Sequence, residues 1–350
     1  MKIKKLQDLL KNDEVFLITG EISRKYLTNF HSTDGFLLIK KDDACFFVDA
    51  RYFEDAKKQI KSSKVALFES YDDLKKYTEH IKTIIVEKDD ITLSRFEFLQ
   101  KAFEEKDVTF GDAPDREIKN MRSIKSIDEK ENLILAQRIA EKALFETLPH
   151  IKPGKTEIEI ASLLEYNMRK NGADGISFDT IVVSGKKSAV PHGVPDGKVL
   201  EKGDFVTIDF GAIKNGYHSD MTRTFVIGQP NEDQKNIYET VLQAQKEAIE
   251  KIKPGAKCSD VDLAARNHID KKGYKKYFTH STGHGVGLEI HENPNISFKN
   301  ENALQLGNVI TVEPGIYIPG KFGVRIEDFG IVSKDGFENF TEFSKELIIL

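Results

Sequence analysis

The chain has 350 residues, 39% hydrophobic and 31% charged, with a formal net charge of −5. That length and balance call for two domains with sizeable cores, and the acidic excess excludes a dedicated nucleic-acid or anionic-membrane binder, which would carry a basic surplus. No apolar run reaches membrane-spanning length, Asp8, Asp13 and Glu14 interrupt any signal-peptide core, and the distant Cys45 and Cys258 read as reduced thiols of a cytoplasmic protein.

In chain order, "EVFLITG" and "GFLLIKKDDACFFVDARYF" read as strands, the second folded back at "KKDD". "RYFEDAKKQIKSS" has helical spacing at Phe53, Ala56 and Ile60. "KTIIVEKDD" reads as a buried strand and "LSRFEFLQKAFEEK" as a helix, so the first third forms a small α/β domain. The charged stretch "DAPDREIKNMRSIKSIDEKEN" marks the boundary, which we place between residues 122 and 123. A long helix follows, with Ser126 and Glu129 spaced as a capping box.

The second part, 123–350, repeats itself. "IKPGKTEIEIASLLEYNMRKNG" from Ile151 matches "IKPGAKCSDVDLAARNHIDKKG" from Ile252, and "LEKGDFVTIDFG" from Leu200 matches "LQLGNVITVEPG" from Leu304. Asp209 falls opposite Glu313, and Asp220 opposite Glu327. Each half reads as helix, strand with an acid, turn, returning strand with a second acid. Packing two such halves about a pseudo-two-fold axis buries both sheet faces and brings the four carboxylates to a common centre.

Buried carboxylates are costly unless paired or coordinating a metal. One acid alone would be expected to cap a turn or pair with a lysine or arginine. Four clustered anions instead call for divalent cations. The stretch "HSTGHGVGLEIHENP" holds three of the nine histidines. Its His284, flanked by glycines that let the backbone come close, is the candidate fifth ligand for a pair of ions. His291, and His192 in "AVPHGVPDG", are expected near the ions as substrate-binding, non-ligand groups, whereas His150, His218 and His268 read as structural. A carboxylate-rich set favours Mn²⁺, with Co²⁺ or Zn²⁺ as alternatives. Two adjacent ions activating a bridging water, with Glu313 as general base, would perform hydrolysis.

The runs "DFG…SDMTRT", "HSTGHGVGLEIHENP", "TVEPGIY" and "GVRIED" resemble the pita-bread metallopeptidases, in their Xaa-Pro aminopeptidase and prolidase branch. "YLTNFHSTDGFLLI" and "DARYFEDA" resemble that branch's creatinase-like N-terminal domain. The resemblance implies an α+β protein with a catalytic pita-bread domain. It implies metal ligands Asp209, Asp220, His284, Glu313 and Glu327, and catalytic roles for His192, His291, Glu313 and Arg325. It also places His280 beside the substrate. The intact ligand set argues against a creatinase and against a metal-free binding module on the same fold. The expected activity is an aminopeptidase cleaving before a proline in second position, with prolidase, restricted to dipeptides, as the alternative. The resemblance further implies a homodimer formed through the N-terminal domain, which would close the partner's site.

Overall fold

The structure is a computed structural model and describes residues 2–350. It divides into two compact units, Met1–Arg122 and Ser123–Leu350. No helix among the described residues is long and apolar enough to cross a membrane.

The first unit is built on a six-stranded sheet in the order Lys64–Leu67, Ala44–Val48, Phe36–Lys40, Glu14–Ile18, Thr83–Val86, Asp107–Phe110. The "KKDD" turn joins two antiparallel strands, closed by Lys40 N donating to Asp43 O at 2.8 Å. Glu14–Ile18 runs parallel to Thr83–Val86. Val15 to Ile18 are all buried, as expected of a central strand covered on both faces. On one face Val15, Leu17, Leu38, Phe47 and Ile84 pack against Leu74, Phe96 and Leu99 from two helices.

The second unit opens with the helix Ile127–Thr147, capped reciprocally by Ser126 and Glu129. The repeat is then laid out twice. The first half has the helix Glu157–Lys170 and a sheet ordered Met221–Val226, Phe205–Phe210, Ile181–Ser184. The second has the helix Cys258–Lys271 and a sheet in which Gly283–Gly285, Val309–Val312 and Asp328–Ser333 take the corresponding places. In both halves a hairpin leaves the central antiparallel pair: Ala212–Lys214 with Tyr217–His218, and Gly315–Ile318 with Phe322–Arg325. Each sheet is backed by a helix pair. Ala140, Leu144, Ile160 and Leu164 cover Val182, Val206 and Ile208 in the first half. Ile237, Val241, Val261 and Ala265 cover Ile310 and Val312 in the second.

The halves meet along a seam. Glu327 N donates to Thr222 O at 3.1 Å, and Thr224 Oγ1 donates to Arg325 O at 2.9 Å. The acids sit on this seam, and their local placement differs from the strand positions that the sequence suggests. Asp209 lies within a strand. Glu313 is the first residue after Val309–Val312, and Asp220 and Glu327 immediately precede Met221–Val226 and Asp328–Ser333. The physical reason is directional: strand side chains alternate strictly between faces, so the chain leaves the ladder where the carboxylates turn toward one point.

Candidate metal centre

Asp209 is fixed first. Its strand pairs with Met221–Val226, which sets Thr222 opposite it. Arg325, almost fully buried, donates from Nη2 to Asp209 Oδ2 at 2.6 Å. Asp209 Oδ1 is buried and has no hydrogen-bond partner. Glu327 shows the same asymmetry. Its Oε2 accepts from Thr222 Oγ1 at 2.8 Å, while its Oε1 is buried and unpartnered. Thr311 Oγ1 approaches Glu313 Oε1 at 3.4 Å and accepts from His284 N at 3.0 Å. The glycines beside His284 make this approach possible. A Cβ on Gly283 would lie 2.0 Å from Thr311 O.

Asp220, His284 and Glu327 each offer a ligand atom within 4.8 Å of the other two. His284 Nε2 stands 3.5 Å from Asp220 Oδ2 and 3.4 Å from Glu313 Oε1. His284 Nδ1 faces the carbonyl of Gly285 at 3.1 Å, which can only accept. The proton therefore belongs on Nδ1, and the Nε2 lone pair points at two carboxylates. Burial and the charge of His291 lower the His284 pKa to about 4, so it is neutral at pH 7. With both carboxylates ionised, acceptors facing each other at this range repel. It is also the separation expected of two donors sharing one ion with metal–ligand bonds of about 2.1 Å. The orphaned oxygens, the neutral imidazole and the acids together fit divalent cations.

The electrostatics agree. Burial, then Asp209 and Glu313, push the Asp220 carboxyl well above its ordinary range. Burial, then Asp220, Glu313 and Asp209, do the same to Glu327. Burial raises Glu313 to about 8 against the pull of Arg325, with Asp209 adding to the rise. One arginine faces four acids here, so the protein's own positive charge does not balance the cluster.

Arg325 also organises the neighbourhood. Its Nε donates to Thr222 Oγ1 at 3.1 Å, and Nη1 donates to Tyr317 Oη at 2.8 Å and to Pro191 O at 3.2 Å. Tyr317 Oη lies 2.9 Å from His280 Nε2, and His280 Nδ1 lies 2.8 Å from Ser281 O. The same carbonyl argument puts the His280 proton on Nδ1. Tyr317 thus donates to Nε2 while it accepts from Arg325. Burial first, then Arg325 and the charge of His192 among others, lower His280 to about 4. His291 is exposed, with its ring centroid 4.4 Å from that of His284. His192 is exposed in the segment after Pro191. The structure therefore gathers Asp209, Asp220, His284, Glu313, Glu327, Arg325 and His280 together, with His291 against the His284 ring. His268 stands apart, paired with Glu247 at 2.8 Å.

Several supporting residues have no counterpart in the sequence reading. Asp262, fully buried on Cys258–Lys271, accepts at Oδ1 from Thr282 N (3.0 Å) and Thr282 Oγ1 (2.8 Å), and pairs with Arg266. Arg266 donates onward to Phe278 O and His280 O. In the first half Glu157, equally buried on Glu157–Lys170, accepts from Ser184 N and Oγ and from Lys187 Nζ. Each repeat helix thus sends one carboxylate down to pin the segment leading to its half's histidines. The available signal was an acid inside an apolar helical stripe: Cys258, Val261, Asp262, Ala265 and Ile269 share one buried face, as do Glu157, Ile160, Ala161, Leu164 and Met168.

Comparison with known proteins bears on this geometry. Residues 131–334 match the model of metallopeptidase family M24, and residues 2–124 match the creatinase/prolidase N-terminal domain. An Xaa-Pro dipeptidase of Pyrococcus furiosus is 41% identical over 348 residues, covering 99% of this chain and 98% of the relative. The structure of an Xaa-Pro dipeptidase from Bacillus anthracis superposes with a TM-score of 0.95 at 42% identity, covering 100% of this chain and 98% of that one. An X-Pro aminopeptidase structure from Thermotoga maritima gives a TM-score of 0.92 at 39% identity, covering 99% and 100%.

Proposed function

The chain belongs to metallopeptidase family M24, in its pita-bread Xaa-Pro branch, and from that premise we propose that it is a prolidase, hydrolysing Xaa-Pro dipeptides to an amino acid and proline. The relatives named above weigh toward the dipeptidase and away from the aminopeptidase that the sequence suggests first. The observation that carries the hydrolytic reading is the convergence of four acids and one neutral imidazole, two of their buried oxygens unpartnered.

Asp209, Asp220, His284, Glu313 and Glu327 would hold two divalent cations, with Mn²⁺ the match for so many carboxylate oxygens. The cations supply Lewis acidity and an activated water. Glu313 takes the proton released as water adds to the scissile carbonyl, and returns it to the prolyl nitrogen as the C–N bond breaks. Proline needs such a dedicated site because its amide nitrogen is tertiary and has no hydrogen to donate. Arg325 holds Asp209 in place. His192 and His291 hydrogen-bond the carbonyl oxygen as it gains charge, and His280 lines the leaving-group side with Tyr317.

The same reading carries a homodimer joined through residues 1–122, with 123–350 as the catalytic domain, and a cytoplasmic location. Exposed Leu93, Phe98 and Phe110 on the first unit, and the two free cysteines, support these two points.

The test is direct. With Mn²⁺ added, Ala-Pro is expected to be cleaved faster than Ala-Pro-Gly-Gly. Equal or faster cleavage of the tetrapeptide would establish the aminopeptidase, the reading favoured by the Thermotoga neighbour. No hydrolysis of either peptide would remove both.

A further inference from the structure

His284 and His291 stand at the two ends of one tight turn. Gly283–Gly285 runs antiparallel to Glu292–Ile296, with Gly285 opposite Glu292. Side chains alternate between the faces of a strand, so His284 and His291 project to one face and Glu292 to the other. His291 is exposed, its ring centroid 4.4 Å from that of His284. The place of its imidazole therefore depends on the backbone that carries it.

Glu292 fixes that backbone. Its carboxylate folds back into the turn, where Oε1 accepts from Glu289 N at 3.1 Å and Oε2 accepts from Lys125 Nζ at 3.0 Å. Gly287 leaves the room for it, since a Cβ there would lie 2.5 Å from Glu292 Oε2. The side chains of Lys125 and Glu292 are only 2% and 4% exposed. Lys125 is itself a fixed post in the charged stretch at the start of the second unit. Its N donates to Gly307 O at 2.9 Å, Ile124 bridges to Asn308, and Asn308 Nδ2 donates to Ser123 O at 2.9 Å. An apolar pair of similar volume would often stabilise a fold as well as buried ions do. What the ions add is direction, because a charge-assisted contact holds the carboxylate at a defined point.

We propose that Lys125 is a positioning residue for the reaction: through Glu292 it sets the turn that holds His291 beside His284. The proposal rests on His291 hydrogen-bonding the scissile carbonyl oxygen as that atom gains charge. Without the ammonium, the buried carboxylate loses the cation that holds it, and residues 286–291 relax with it. The imidazole then meets the oxygen in a smaller share of molecules, which lowers turnover more than substrate affinity.

The experiment is a double-mutant cycle of Lys125→Met against His291→Ala in Mn²⁺-loaded enzyme, joined to hydrogen exchange at the Glu289 amide in the metal-free proteins. The peptide is whichever of Ala-Pro and Ala-Pro-Gly-Gly the wild type cleaves, so the cycle does not depend on the choice between prolidase and aminopeptidase. Lys125→Met is expected to lower kcat about 10–100-fold, with KM and metal content little changed. It should quicken exchange at Glu289 more than within Val309–Val312. In the His291→Ala background the same substitution is expected to change kcat by no more than about twofold. Where Lys125→Met does not fold, Lys125→Met with Glu292→Gln, which leaves no lone charge, takes its place with the same expectations. An equal loss of kcat in both backgrounds, or unchanged exchange at Glu289, overturns the proposal and leaves the peptidase standing. Full turnover in His291→Ala removes the role of His291 and the proposal together.

Discussion

Glu327 and Asp328 are neighbours in the chain, both buried, and electrostatic opposites. Asp328 Oδ1 accepts from Arg223 at 2.8 Å, and its Oδ2 accepts from Lys345 at 2.6 Å and Asn339 at 3.1 Å. Burial would raise its pKa, but Arg223 and Lys345 outweigh it and hold the carboxyl below its ordinary range. Glu327 receives one hydroxyl, keeps an orphan oxygen, and is driven the other way by burial and by three more acids. The Asp328 cluster is a finished ion network that ties Met221–Val226 and the C-terminal segment to Asp328–Ser333. The Glu327 cluster leaves a charge deficit. A buried acid that stabilises the fold comes with its own cation. One kept for chemistry takes its cation from solution, and the chain bears the repulsion until then.

The contrast can be broken from either side. The largest expected effect is on activity: Glu327→Gln should lose metal by elemental analysis and lose turnover by orders of magnitude. The metal-free variant should melt no lower than metal-free wild type, because one buried anion is gone. A lower melting temperature would place Glu327 with the structural acids. Next comes Asp328→Asn, which strands the Arg223 guanidinium. It is expected to cost about 3–5 kcal/mol in urea unfolding, with metal content per folded molecule unchanged.

A third buried acid sharpens the rule. Glu87, in the first unit, accepts from Thr19 N at 2.8 Å and Gly20 N at 2.9 Å but makes no ion pair among the described residues, and Arg24 feels its charge only weakly. Burial, partly offset by Ser23 and those amides, raises it from 4.5 to about 7. Below pH 4.5 it is protonated folded or unfolded and costs nothing. As the pH climbs toward 7 only the unfolded chain releases the proton, so folded stability falls, by about 3 kcal/mol once the pH is above 7. Glu87→Gln should flatten that slope in unfolding curves taken from pH 5 to 8. An unchanged slope would show that Glu87 is ionised in the folded protein. The smallest effect concerns Asp262→Asn, which weakens the anchor on Thr282. It should cost about 1–3 kcal/mol of stability and weaken metal affinity about 10–100-fold, with little change in KM.

What was legible follows from where each signal resides. The hairpin at "KKDD", the Ser126–Glu129 cap and the two repeat helices are local patterns, and they stand in the sequence as they stand in the fold. That Asp209, Asp220, Glu313 and Glu327 belong to one place could be read because Asp209 and Glu313 break apolar runs at matching places in the repeat, and Asp220 and Glu327 are the next matching acids in each half. Arg325 and His280 came only through family resemblance, since an arginine in "GVRIED" looks like any strand cation. Asp262, Arg266 and Glu157 were missed for a different reason. Many of their partners are main-chain amides and carbonyls, such as Thr282 N, His280 O and Ser184 N, and main-chain atoms leave no residue-specific mark. The exit of three acids from their strands was invisible because hydropathy reports burial, not the residue at which a ladder ends.

The seam also has a dynamic consequence. The amide of Glu327 bonds to Thr222 across the boundary between the halves, and carboxylates from both sides converge beside it. A cation held there adds a rivet between two sheets already joined by main-chain bonds, hydroxyls and the Arg223–Asp328 and Arg325–Asp209 ion pairs. Loading should therefore slow hydrogen exchange at that single amide far more than at those within either sheet, so one proton's lifetime becomes a gauge of how full the centre is.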